Sequence, residues 1–384
     1  MRNFQFIVFF GIVIAVFSLL NWYIYSKGIQ VFPQGTGART GFRWIFIFLA
    51  ASYPVARILE RVWLSPVSDI FTWIGSFWLA AFFYFLLISL VVDLIRLINL
   101  PFGFLPELIR TTGFKQVVFW LSYSIVTIAL IGGFINSRFP RTKILELDIP
   151  KKRGAIKELR IAYASDIHLG TVIGPRRVKA FVKRMNGLKP DIILLGGDVV
   201  DEDLAPVIRN NLGDSLKKLS APMGVFAITG NHEYIGGAES ACRYLADHGI
   251  KMIRDSAVLV AESFYLIGRE DRDRPRFIGK PRVPVDRLME NIDAGKPVIM
   301  LDHQPFELDR KEELGIDLTL SGHTHHGQMF PLNYLTKAIY EVSWGYKKKG
   351  NTHAYVSSGY GGWGPPVRTG NRPEIVLISL HFVQ

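Results

Sequence analysis

Five largely apolar runs from Leu159 onward each stop at side chains able to bind a metal ion. Leu159–Ala164 leads into Asp166-Ile167-His168, Ile192–Leu195 into Gly197-Asp198, and Val225–Ile228 into Gly230-Asn231-His232-Glu233. Val298–Leu301 leads into Asp302-His303, and Leu318–Leu320 into Gly322-His323-Thr324-His325. Short runs of β-branched and aliphatic residues predict buried strands. A strand that stops at a carboxylate, imidazole or amide delivers that group to one edge of a sheet, where sites in α/β proteins form. Five such ends brought together supply donors for two divalent ions, a device suited to in-line displacement at phosphorus.

Each segment also has a plainer reading when taken alone. Asp166 and His168 are two apart, so in an extended chain both side chains point the same way and can hold one ion. A lone Asp-x-His is more readily an ordinary structural turn than a metal site. In Gly197-Asp198 the glycine permits close backbone approach and the carboxylate can bridge two ions. Asp201, three residues on, reads as a helix cap or a supporting partner rather than a ligand. Asn231 offers a hard amide oxygen, while His232 beside it stays off the metal and trades protons with a leaving oxygen. Glu233 is placed to orient that imidazole; the tetrapeptide alone is equally a polar turn. His323 and His325 fall on one face of an extended segment and, with His303, suit Zn, Mn or Fe. Six of the nine histidines fall in these motifs if His326 is counted. His248, His353 and His381 have no such setting and read as structural.

The first third has a different character. Four apolar stretches, Phe4–Tyr25, Phe42–Ala56, Thr72–Leu97 and Gln116–Ile135, approach or exceed the roughly 20 residues that cross a bilayer. The first is too long for a typical secretory signal and no small-x-small cleavage site follows it, so it reads as a retained span. The expected organisation is a transmembrane region of about four helices over 1–137, a basic juxtamembrane linker over 138–157 and a catalytic domain over 158–384. An even number of spans, with Lys and Arg weighted toward the termini, predicts a multi-pass protein of the inner cell membrane with both ends in the cytoplasm. The spans carry no acidic residue or histidine at mid-depth, which argues against an ion pathway. The net charge of +12 comes with no nucleic-acid motif. Its basic residues bunch from Arg138 through Lys143, Lys151, Lys152 and Arg153 to Arg160, a pattern suited to anionic headgroups. A single cysteine, Cys242, excludes an internal disulfide and reads as a helix core residue.

From Leu159 onward the pattern alternates strands with helices near Arg176–Leu188, Leu204–Leu219 and Ala238–His248. Short strands follow at Met252–Asp255, Ala257–Val260 and Phe264–Gly268, then Ala354–Ser357 and Glu374–His381. This predicts a mixed α/β sandwich.

The ordered set Asp166-x-His168, Gly197-Asp198-x-x-Asp201, Gly230-Asn231-His232-Glu233, His303 and Gly322-His323-x-His325 resembles the signature of calcineurin-like metallophosphoesterases. The resemblance covers Leu159 to the C-terminus and implies a four-layer αββα sandwich with a dinuclear metal site, manganese or else iron or zinc. It implies Asp166, His168 and His325 as ligands of the first ion, Asp198 as the bridge, and Asn231, His303 and His323 as ligands of the second. His232 takes the proton-handling role. The run Gly322–Gln328, with Ser357-Ser358-Gly359 and Pro373-Glu374, is similar to a membrane-associated bacterial subgroup of phosphodiesterase-like proteins and UDP-2,3-diacylglucosamine pyrophosphatases. His326 stands where that pattern implies glycine, so it crowds the site or adds a substrate contact.

In the loop Ser357–Pro366, Tyr360 and Trp363 are candidates to line a pocket for a base or acyl chain, and Arg368 to hold a second phosphate. A purely structural loop fits equally. Lys347–Lys349 reads as a solvated turn. The function expected is a membrane-anchored phosphohydrolase cleaving a phosphodiester or pyrophosphate bond of a lipid-linked or nucleotide-sugar substrate. Alternatives are a phosphomonoesterase or phosphoprotein phosphatase, and a non-catalytic membrane sensor. The oligomeric state is not legible.

Overall fold

Long apolar stretches without a polar stripe fold as helices, because only a helix satisfies every backbone group in lipid. The computed structural model, which describes residues 2–150 and 156–383, opens with α1 (Arg2–Gly28), α2 (Gly37–Val62), α3 (Pro66–Phe102) and α4 (Thr112–Arg138). All four are long and apolar enough to cross a membrane. The chain divides into two units, Met1–Gly133 and Phe134–Gln384.

In the first unit every helix contributes to one cluster: Ile24, Phe46, Trp78 and Val126. Gly75 lets α3 lie directly on α2, since a Cβ there would sit 2.6 Å from the Tyr53 Cα. Small residues commonly allow such close helix crossings. The Trp78 indole N–H donates to Asn21 Oδ1 at 3.2 Å, so the buried donor is satisfied.

The second unit begins with the last turn of α4 and continues as two six-stranded sheets. Its strands are β1 (Arg141–Pro150), β2 (Glu158–Ala164), β3 (Ile192–Leu195), β4 (Val225–Ala227), β5 (Lys251–Met252), β6 (Ser256–Val260), β7 (Phe264–Gly268), β8 (Val298–Leu301), β9 (Leu318–Ser321), β10 (Gly345–Lys349), β11 (Thr352–Val356) and β12 (Glu374–Val383). One sheet runs β1-β12-β2-β3-β4-β5 and the other β10-β11-β9-β8-β7-β6. Helices α5 (Pro175–Gly187), α6 (Ala205–Arg209), α7 (Leu212–Leu216), α8 (Asn231–Gly236) and α9 (Ala238–Asp247) follow strands of the first sheet. Helices α10 (Arg274–Ile278), α11 (Val285–Met289), α12 (Leu308–Glu313) and α13 (Leu332–Ile339) accompany the second.

Burial alternates as a four-layer sandwich requires. Along β3, Ile192 and Leu194 join the core shared by the two sheets, while Ile193 and Leu195 join the core under the outer helices. A strand buried on both faces reads as a continuous apolar run. Strands β2, β3 and β4 are mutually parallel, as are β7, β8 and β9. Their C-terminal ends therefore open on one edge of each sheet.

Three local expectations differ from the structure. The basic stretch 138–157 contains β1, paired in parallel with β12 from Arg141↔Glu374 to Pro150↔Val383. Leu147 and Ile149 point into the inter-sheet core, a period of two masked by the charges between them. Lys151, Lys152 and Arg153 lie outside the described residues. The helix expected over Leu204–Leu219 is broken into α6 and α7 where Asn211 adopts a left-handed φ of 48°. Lys347–Lys349 belongs to β10, antiparallel to β11, and Lys347 and Lys349 reach Glu341 at 2.8 and 3.1 Å.

Candidate metal centre

The five strand ends converge. Asp166 and His168 follow β2, Asp198 follows β3, Asn231 and His232 open α8 after β4, His303 follows β8, and His323 and His325 follow β9. Backbone hydrogen bonds sew the loops together: Asp166 N–H to Gly197 O at 3.0 Å, His168 N–H to Asp198 O at 3.0 Å, and Gly322 N–H to His303 O at 2.9 Å.

The loops are not extended, contrary to the simplest reading of the Asp-x-His and His-x-His spacings. Asp166, His168, Asp198, His323 and His325 all hold φ between 44° and 67°. Such backbone is strained for L-residues and collects at functional sites. Gly197 is required twice over: its φ is +89°, and a Cβ there would lie 2.7 Å from His303 Nδ1.

The side chains form three overlapping groups. Asp166, His168 and His325 make one, Asp198, His303 and His323 another, and His168, Asp198 and His232 a third, with ligand atoms inside 4.8 Å in each. Asp198 Oδ2 lies 3.1 Å from His303 Nε2 and 3.8 Å from His168 Nε2. His325 Nε2 is 3.5 Å from Asp166 Oδ1 and 3.1 Å from His168 Nε2. His323 Nδ1 sits 2.8 Å from Asn231 Oδ1. Asp166 and Asp198 are almost wholly buried.

This donor set fits divalent ions on its own chemistry. His303 Nδ1 faces Gly196 O at 2.7 Å; a carbonyl only accepts, so Nδ1 carries the proton and Nε2 presents a lone pair. That Nε2 is buried without a hydrogen-bond partner, yet it faces the Asp198 carboxylate. Two lone pairs in a buried site repel unless a proton or cation stands between them. Without a cation the site supplies a proton: burial opposes it, but Asp198 pushes the His303 imidazole well above its usual pKa. Burial alone would raise Asp198, but the His303 and His232 charges hold it well below the carboxylate range. Burial and the His303 charge push His323 down to about 3. Burial and His168 push His325 well down. Both therefore stay neutral, the form a metal needs.

His232 behaves differently. Burial lowers its pKa, but Asp198 and Asp201 outweigh that and push it up to about 9. Asp201 Oδ1 lies 3.0 Å from His232 Nδ1 and 3.3 Å from His168 Nδ1, serving both rings at once. Glu233, expected to orient His232, instead accepts the backbone N–H groups of Asp198 at 3.0 Å, Val200 at 2.9 Å and Gly230 at 2.7 Å. It braces the β3 and β4 loops rather than the imidazole.

Two substrate-contact candidates prove internal. Arg368 is fully buried; its guanidinium donates to Gly361 O at 2.6 Å and Ser358 O at 2.8 Å and lies 3.1 Å from His325 Nδ1. Its donors are spent on the loop that cradles His325, leaving none for a second phosphate. Tyr360 is likewise core, its hydroxyl donating to Arg177 O at 3.0 Å. Trp363 remains 54% exposed, with its ring centroid 6.3 Å from that of His232. His326 neither opens the site nor lines it: its ring packs on Trp344 and Nδ1 lies 3.1 Å from Ser343 Oγ. Its φ of 46° explains why glycine suits that position.

Sequence reasoning passed over Asp271. It is buried three residues beyond β7, bound by Gln304 Nε2 at 3.1 Å, and burial pushes its pKa up to about 7. The strand-end rule that found the other residues would have found it.

A four-layer α/β sandwich whose strand ends bring carboxylates, imidazoles and an amide together defines a metal-dependent phosphoesterase. The chain belongs to the metallophosphoesterase family, hydrolases acting on phosphoester bonds with divalent metals. The family model for calcineurin-like phosphoesterases matches residues 159–327. An uncharacterized metallophosphoesterase of Aquifex aeolicus is 35% identical, over 58% of this chain and 85% of its own length. One from Campylobacter jejuni is 29% identical over 98% of both chains. A transmembrane protein with metallophosphoesterase domain from Danio rerio is 28% identical over 98% of this chain and 89% of its own length.

Proposed function

We propose that the chain is a membrane-anchored, dinuclear metal phosphohydrolase that cleaves a phosphodiester or pyrophosphate bond of a lipid-linked or nucleotide-sugar substrate. The observation that carries the reading is Asp198: its one carboxylate belongs both to a group with His303 and His323 and to a group with His168 and His232. A bridging carboxylate is what a two-ion site needs. On this reading Asp166, His168 and His325 would hold one ion, Asn231, His303 and His323 the other, and Asp198 would serve both. The N/O donor set suits manganese, iron or zinc, and manganese is our first choice. When bound, paired ions supply a nucleophile at neutral pH and neutralise charge on phosphorus oxygens.

The protein's own residues do the rest. Asp201 fixes the His232 ring, and the raised pKa keeps that ring able to give a proton to the departing oxygen. Trp363 offers an exposed ring beside His232 on which an apolar or aromatic leaving group can rest. Glu233 and Arg368 hold the loops that carry the ligands. The four apolar helices support a multi-pass protein of the inner membrane, and the Lys and Arg distribution supports a cytoplasmic catalytic domain.

The test is hydrolysis by the full chain with added Mn²⁺ of three probes: an aryl phosphodiester, a UDP-linked acyl sugar and an aryl phosphomonoester. Turnover of one of the first two above the third supports the proposal. Preference for the monoester overturns the bond class, and no turnover of any probe by metal-loaded chain favours a sensor.

A further inference from the structure

None of the eight residues of helix α13 is buried. Tyr334, Leu335 and Ile339 are 62%, 57% and 54% exposed, and Phe330 just before it is 51% exposed. Positions 334, 335, 338 and 339 fall on one helical face, with exposed Ala338 completing the stripe and exposed Lys337 beside it. The Phe330 and Tyr334 rings lie 6.0 Å apart, so the patch is continuous. A soluble surface rarely gathers so many large apolar side chains without something to cover them.

What covers them follows from what the patch is tied to. The last turn of α4, a candidate membrane span, is bonded to the loop 366–371. Asn136 Nδ2 donates to Arg368 O at 2.8 Å and Asn371 O at 2.7 Å, and Ser137 Oγ to Pro366 O at 3.0 Å. The same loop holds the start of the patch, because Phe330 N–H donates to Thr369 Oγ1 at 3.0 Å and Gly370 N–H to Gln328 O at 3.1 Å. Two short hydrogen-bonded steps thus join the end of a span to an exposed apolar helix with a lysine on its flank. Phe139, directly after α4, is also an exposed large apolar residue, at 56%. Amphipathic helices with this make-up lie in the headgroup layer with their apolar face a few ångströms into the acyl chains.

We propose that Phe330 and α13 form an interfacial anchor seated in the bilayer that α4 crosses. Gln328 couples this anchor to the rim of the candidate site: its Nε2 donates to Trp363 O at 3.0 Å and Pro365 O at 2.8 Å, and its Oε1 accepts from Trp363 N–H at 3.1 Å. The anchor therefore fixes the Trp363 rim beside lipid headgroups, which deepens the lipid-linked part of the functional proposal without depending on hydrolysis.

The test uses the full chain in nanodiscs of phosphatidylethanolamine and phosphatidylglycerol, in a Cys242→Ser background, with a spin label at Leu335→Cys or Ile339→Cys. Asn291→Cys, an exposed position before the opposite end of β8, is the reference. The labels at 335 and 339 should relax with oxygen and be sheltered from a hydrophilic nickel chelate, the reverse of the label at 291. Chelate access equal to that at 291 overturns the anchor. Shelter from both reagents also overturns it, and assigns the face to a second copy or another protein. The labels read depth whether or not the chain hydrolyses any probe, so this result and the activity assay fail independently.

Discussion

At the scale of single residues, the site separates groups that hold charge from groups that move it. His232→Ala should cut turnover of an unactivated ester by roughly 10²–10⁴-fold, the usual worth of a positioned acid. Metal content, read by elemental analysis, should stay at the wild-type level. Its pKa of about 9 also has a sign. A group raised on folding stabilises the metal-free protein fully below its unfolded value, about 6.5, and loses that contribution as pH rises through the folded value. The stability gap between metal-free wild type and His232→Asn should therefore narrow between pH 6.5 and about 9. A gap that widens instead contradicts the pairing with Asp201 and Asp198. Arg368→Lys tests a different role. Lysine cannot reproduce the fork that spans Gly361, Ser358 and His325, so metal affinity should fall by roughly 10–100-fold, as when a ligand's supporting partner is lost.

Among the elements, the tightest constraint is the meeting of β3 with β8. Gly197→Ala would press a methyl group against the His303 ring in a left-handed backbone, so the variant should fold its outer layers yet lose metal, checked by circular dichroism and metal analysis together. The strands that deliver the candidate ligands were legible because Ile192–Leu195 and Val298–Leu301 are apolar on both faces, Leu318-Thr319-Leu320 is aliphatic and β-branched, and all three stop at polar groups. Strand β1 was hidden because the exposed charges Glu146 and Asp148 alternate with its core-facing Leu147 and Ile149, and β10 because three lysines read as a turn. The spacings pointed to residues that the fold brings together, but for the wrong backbone. Left-handed residues at 166, 168, 323 and 325 are set by contacts between loops, which no local pattern encodes. The role of Arg368 was illegible for the same reason, since a guanidinium that binds phosphate and one that braces a buried loop look alike until its acceptors are known.

On the scale of the whole molecule, helices long and apolar enough to cross a membrane and a metallophosphoesterase domain share one chain, and the fish relative named a transmembrane protein with metallophosphoesterase domain aligns with 98% of it. The catalytic unit concentrates buried carboxylates that repel one another without cations, so chelation should lower its stability. With free ion at about a thousandfold over the dissociation constant, the loss is about 4 kcal/mol, readable as a drop in the domain's thermal transition. The central claim is that Asp198 serves two ions at once, and counting ions per chain tests it most directly. Wild-type protein loaded with Mn²⁺ and desalted should hold two ions, and Asp198→Ala should lose both under the same treatment. A single ion in the wild type, or two retained without the Asp198 carboxylate, would contradict the bridge.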